Sequence, residues 1–307
     1  MEESIVQRNK EIRRGTFAAF IFVIFVMGIS QILCMIFPSV SERILSSICM
    51  IAGTIVVLTG KGRPEKGTLF KVHNKMNGVS LLVLLGAFMA VKLLSLVPAA
   101  LLYTVFVSEE NAAALESLAQ NSGNPLLYLL FMGIVTPFGE ELVFRGCIGN
   151  NFRKHGIWFA MIMSSLIFAM YHLNIFQLVS AFLPGVVLFY IAMNYSIKWS
   201  ILFHFINNGL LTIGFSELKK VAPPSFFVNY GEYILEVVLI IIAVCLIKKD
   251  NAIGKVKEFL GESVNEKGVY KAAICNVWFI LLLVFLVLLS LTLLFGVNNM
   301  ALQVPQS

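Results

Sequence analysis

The 307-residue chain is 58% hydrophobic and only 13% charged, with a mean hydropathy of +0.87. Soluble globular domains carry about 25% charged residues, so a water-soluble fold is excluded, and apolar runs along the whole length leave no soluble appendage large enough to fold alone. The net charge of +6 does not mark a nucleic-acid binder, because the basic residues sit in short loops between apolar segments, where they set orientation in a membrane.

Taken in chain order, the N-terminal MEESIVQRNKEIRR precedes an apolar run too long for a cleavable signal, and reads as a retained first span. The expected spans lie near 16–37, 44–59, 79–106, 125–147, 157–173, 176–195, 198–215, 230–247 and 272–296, each close to the ~20 residues that cross ~30 Å of hydrocarbon. The second and fifth are short, so eight spans is the alternative count. With nine spans, alternate sides hold 18 and 3 Lys or Arg residues, and Lys92 and Arg145 fall within spans. That asymmetry predicts a cytoplasmic N-terminus and an outside C-terminus. The fold expected is an all-α, polytopic transmembrane helix bundle forming one integral membrane domain over 1–307, in contact with lipid. The loop 107–124 suits a short amphipathic helix, and the basic loop 248–271 an anionic lipid surface. Five cysteines without C-x-x-C spacing read as small packing residues, not as a disulfide framework or zinc knuckle.

Ionisable residues inside spans cost at least ~2.5–3.5 kcal/mol each at mid-bilayer, so each one needs a reason. Lys92 lies about mid-span with no partner that the sequence assigns. Glu232 and Glu236 stand at the outer start of span eight, within reach of water. The segment PFGEELVFRG is different, placing Glu140, Glu141 and Arg145 at the inner end of span four. Glu141 and Arg145 form an i, i+4 pair with the acid first, whereas Glu140 is turned about 100° away. This spacing divides the labour: the pair fixes the helix end and Glu140 is left for chemistry. In span five FAMYH sets Phe168 and His172 one turn apart, and in span seven HFINN does the same for His204 and Asn208. A lone membrane histidine is most often a packing residue. Here both span histidines join a glutamate and an amide at compatible depths, and one shared polar cluster satisfies all four at less cost than four separate sites. Residues 125–215 are thus the expected catalytic core.

Together these segments resemble the CAAX protease and bacteriocin-processing (CPBP, or Abi) family of intramembrane peptidases. Its pattern is E-E-x-x-x-R, F-x-x-x-H and H-x-x-x-N on successive helices, met here by Glu140-Glu141…Arg145, Phe168…His172 and His204…Asn208. The resemblance implies an endopeptidase in which Glu140, aided by His172, activates a water, while His204 and Asn208 stabilise the oxyanion of the tetrahedral intermediate. Glu141, Arg145 and Phe168 would support the site. The substrate would be a peptide or membrane-associated protein, and the expected location is a bacterial cytoplasmic membrane. No cofactor is fixed by the sequence. The family is often labelled a metalloprotease, and Glu140, His172 and His204 would be the ligands of a divalent metal such as zinc; the absence of H-E-x-x-H favours a metal-free glutamate mechanism. Two alternatives stand beside the peptidase: a non-catalytic regulator or immunity scaffold of the same fold, and a proton-coupled transporter. The transporter would need internal pseudo-symmetry, which the clustering of polar residues in spans four to seven does not supply. An aspartyl protease is excluded because the one aspartate, Asp250, lies in a basic loop, and a rhomboid-type enzyme because no G-x-S-G occurs.

Overall fold

The structure, a computed structural model, describes residues 2–106, 124–173, 175–261 and 264–301. Among these every regular element is a helix. We label them α1 (2–36), α2 (Glu42–Thr59), α3 (Gly78–Phe106), α4 (125–153), α5 (Ile157–Tyr171), α6 (Ile175–Asn194), α7 (197–221), α8 (Phe226–Asp250), α9 (Ala252–Gly261), α10 (Val269–Ile274) and α11 (Val277–Ala301). The amphipathic helix expected at 107–124 lies, Asn124 apart, outside the described residues.

Among the described residues six helices are long and apolar enough to cross a bilayer: α1, α2, α3, α4, α6 and α8. Shorter apolar helices stand where the fifth and ninth spans were expected, in α5 and the first half of α11. The seventh expected span falls in α7, where Lys198, His204, Asn207 and Asn208 dilute the apolar run and keep it out of the six. The nine expected positions are thus all helical: six hold helices that qualify by length and hydropathy among the described residues, α5 is shorter, α7 is more polar, and α11 runs 25 residues from Val277 to Ala301. Outward faces agree with a lipid environment. Ile48, Ile51 and Ile55 on α2, and Val237, Ile241 and Val244 on α8, share single helix faces and are all about half exposed or more. Such continuous apolar stripes are stable against hydrocarbon and not against water. The chain is an integral membrane protein.

Local signals set the helix ends. Asn124 caps α4, its side chain accepting from the backbone N–H groups of Leu126 and Leu127, and Pro125 takes the first helical position, where no N–H is needed. Ser225 caps α8 in the same manner, and Asn251 ends it in the left-handed region (φ 53°). Gly156, at φ 135°, joins α4 to α5, and a Cβ there would collide with Asn265. Behind the later site, Phe22 of α1, Phe144 of α4 and Phe168 and Tyr171 of α5 form an aromatic cluster with ring centroids 5.3–5.7 Å apart. Their edge-to-face and tilted packing fixes the rotation of α4 and α5 about their axes. Helices α4 and α7 cross at Gly133 and Gly209. A Cβ on Gly133 would lie 3.0 Å from Gly209 Cα, so these backbones meet where only glycine leaves room.

One expectation is corrected. Glu236 does not reach water: it is fully buried, and Lys92 Nζ lies 2.6 Å from its Oε1 and 3.0 Å from Glu232 Oε1. The lone lysine of span three thus has two partners on α8. Burying an ammonium in hydrocarbon is costly unless it is paired, and this pairing ties α3 to α8.

Candidate active site

The site begins on α4, where the backbone passes from an α-helical turn ending at Glu140 into π-helical turns over Glu141–Gly149. α7 does the same at Ile206–Ile213, just beyond His204. Wider turns of this kind re-aim side chains and recur at functional sites. Because α4 and α7 run antiparallel from their glycine crossing, Glu140 and His204 come to the same level.

Glu141 is the hub. Fully buried, its Oε1 accepts from Arg145 Nη1 at 2.8 Å and from His204 Nδ1 at 2.9 Å, and its Oε2 meets the Ser200 hydroxyl. Arg145, equally buried, spends Nη2 on the Gly185 carbonyl of α6 at 3.1 Å and lays its guanidinium 4.2 Å from the Phe168 ring centroid. A Cβ at position 185 would stand 3.2 Å from that Nη2, so the small residue leaves the arginine its place. Charge, hydrogen bonds and ring contact together compensate a guanidinium that water does not reach.

Glu140 is buried but differently held. It faces His204 Nε2, 3.7 Å from Oε2, beyond hydrogen-bond distance. The same Nε2 lies 3.3 Å from Asn208 Nδ2, and Asn207 Nδ2 donates to Asn208 Oδ1 at 2.8 Å, turning that amide toward the imidazole. Phe168 stands between the two imidazoles, edge-on to His172 at 4.9 Å and to His204 at 5.8 Å. His172 caps the end of α5, half-buried, with Nδ1 2.9 Å from the Phe168 carbonyl; that bond leaves Nε2 as its available nitrogen.

All seven residues singled out in the sequence, Glu140, Glu141, Arg145, Phe168, His172, His204 and Asn208, are therefore drawn into one neighbourhood. Glu141 touches more than the expected arginine, because it also orients His204. Three further participants were not anticipated. Ser200 lies four residues before His204 on the same face, a spacing that could have shown it. Asn207 is the other amide of HFINN. The Gly185 carbonyl is a backbone acceptor with no side-chain signature. Among the described residues, Glu140, His172 and His204 included, no three His, Cys, Asp or Glu side chains are grouped so as to hold one ion. His204 Nδ1 is bonded to Glu141 and His172 Nδ1 to the Phe168 carbonyl, which leaves Nε2 of each imidazole turned to other partners.

These features define a class: a helical integral membrane protein carrying a buried glutamate–histidine–arginine cluster at the crossing of its helices. Residues 122–210 match the family described as type II CAAX prenyl endopeptidase Rce1-like. The family is one of proteases, the matched segment contains all three motifs, and the resemblance read from them is borne out. Comparison with curated proteins and with solved structures returns no match.

Proposed function

We propose that the protein is an intramembrane endopeptidase that hydrolyses a peptide bond in a membrane-associated protein or peptide by a glutamate-activated water. The observation that carries this reading is the unequal use of the two glutamates. Glu141 is committed to Arg145, Ser200 and His204, whereas Glu140 faces His204 Nε2 across 3.7 Å and has no salt bridge to a lysine or arginine among the described residues. In the proposed reaction Glu140 takes a proton from the water as its oxygen attacks the scissile carbonyl, with His172 helping to hold that water. The carbonyl oxygen becomes an oxyanion, met by the Asn208 amide and by His204 when Nε2 carries a proton. Glu141 accepts from Nδ1–H and balances the charge of a His204 that enters the cycle already protonated at Nε2, so that the proton of the water goes to Glu140 alone; a carboxylate serves the histidine of a serine-protease triad in the same way. Protonated Glu140 then returns its proton to the leaving amine, and the carbonyl reforms as the C–N bond breaks. A donor aimed at an oxyanion in a water-poor site contributes ~3–4 kcal/mol.

The experiment compares membrane peptidomes of cells expressing the wild type and Glu140→Gln. Peptides present only with the wild type are expected, and they supply a substrate for the purified protein. Identical peptidomes would sink the peptidase reading and leave the non-catalytic scaffold. On the substrate so found, activity is expected to survive a strong divalent-metal chelator. Activity lost on chelation and restored by zinc would turn Glu140, His172 and His204 into ligands.

A further inference from the structure

Far from this site, α1, α10 and the start of α11 shape an open cavity of about 600 Å³. Arg8, Arg13 and Lys271 line it, and its floor includes Asn276. That asparagine is locked in place. Its Oδ1 accepts from Thr16 Oγ1 at 2.9 Å and from the first backbone N–H groups of α11, and its Nδ2 donates to carbonyls of α10. Arg8 is also held, with Nη1 donating to the Lys267 carbonyl and Nε and Nη2 to Asn9 Oδ1. The floor and one wall are thus hydrogen-bonded in place, while Arg13 and Lys271 are exposed at the rim.

Among the described residues no carboxylate lines the cavity. The nearby acids are occupied elsewhere: Glu11 and Glu266 both turn onto His155, at 3.3 and 3.2 Å. Among the described residues neither Arg13 nor Lys271 has an acidic partner. Three cations thus share a concave site to which no described residue contributes an anion, an arrangement suited to a ligand that brings its own negative charge.

The location says which kind. The cavity sits where the charged first turns of α1 give way to the apolar span and where α11 begins. From Val277 on its lip, an exposed apolar strip continues along α11 through Ile280, Leu281, Val284 and Leu288. A soluble anion has no use for that strip, whereas a phospholipid places its phosphate at the headgroup level and its chains along such a face. We infer that this cavity binds the phosphodiester headgroup of an anionic glycerophospholipid, with the acyl chains lying on the exposed face of α11.

The test uses the full-length protein in detergent micelles, titrated with phosphatidylglycerol or phosphatidylcholine and read by native mass spectrometry. One tightly held phosphatidylglycerol is expected, bound at least about tenfold more tightly than phosphatidylcholine. Removing two headgroup-level cations in Arg13→Gln/Lys271→Gln should weaken it roughly thirtyfold. The control Lys249→Gln/Lys257→Gln, exposed and outside the cavity, should bind as the wild type does. If the first double variant fails to fold, Lys271→Gln alone should show about a fivefold loss by the same reasoning. Equal losses in the cavity and control variants would reduce the effect to general surface charge. Equal binding of phosphatidylcholine, or displacement of the lipid by inorganic phosphate at matched concentration, would overturn the lipid assignment.

Discussion

Glu140 and Glu141 are chemically identical neighbours with different obligations, and their substitutions separate structure from chemistry. Glu141 stands against Arg145, His204 and Ser200, so Glu141→Gln or Arg145→Gln leaves an opposite charge buried and poorly compensated. Breaking such a pair typically costs ~3–5 kcal/mol, seen as lost protein or a lower Tm. Glu140→Gln keeps the shape, breaks no salt bridge to a lysine or arginine, and should fold as the wild type does while losing at least ~100-fold in turnover. Expression, thermal melting and peptide cleavage measured side by side decide the matter. A well-folded, inactive Glu141→Gln beside an active Glu140→Gln would reverse the two roles. The division itself is legible in the sequence, since an i, i+4 spacing to Arg145 marks Glu141 and leaves Glu140 opposite Phe144. The contact from Glu141 to His204 is not, because it spans 63 residues and depends on how two helices rotate against each other.

Elements carry the geometry that residues exploit. The crossing of α4 and α7 at Gly133 and Gly209 fixes the gap between Glu140 and His204, seven residues further along one helix and five back along the other. A Cβ at position 209 would lie 2.7 Å from the Phe205 ring and 3.5 Å from Gly133 Cα. Gly209→Leu should therefore wedge the helices apart near the site. A misplacement of about 1 Å at reacting groups can cost ~100-fold in rate, so cleavage should fall by that order with the protein still folded. Gly78→Ala, which meets no atom within 4 Å, is the control. Normal cleavage by Gly209→Leu would show that the crossing does not set the site. Helix positions were readable because runs of apolar residues near bilayer length are their own signal. Which of them qualify as spans was harder to read, since α7 spends part of its hydropathy on Lys198, His204, Asn207 and Asn208. The partners of Lys92 were hidden for a third reason: Glu232 and Glu236 are 140 and 144 residues away, and no local spacing announces them.

For the molecule as a whole, the loop charges predict which ends meet the cytoplasm. The structure joins loops that alternation assigns to one side: Lys154 Nζ lies 2.5 Å from Glu65 Oε1, and Arg8 reaches the Lys267 carbonyl. A C-terminal reporter active only in the cytoplasm is expected to be silent, and an active one would change the number of crossings by one. The Lys92 triad has a consequence for how this molecule is made. The ribosome synthesises Lys92 144 residues before Glu236. At about 5–20 residues per second, roughly 7–30 s pass with that ammonium awaiting its counter-charge. During this interval the third helix is an unfinished client, dependent on the insertion machinery or on its own long side chain reaching for the interface. A chain ending at residue 225 never receives the partner and should be degraded rapidly, and Lys92→Met in that shortened chain should lengthen its half-life. Pulse–chase measurement reads both; equal half-lives would mean that the charge does not govern assembly. The order in which helices leave the ribosome thereby becomes a quality-control checkpoint, at which a chain that stalls before α8 is marked by its own unpaired lysine.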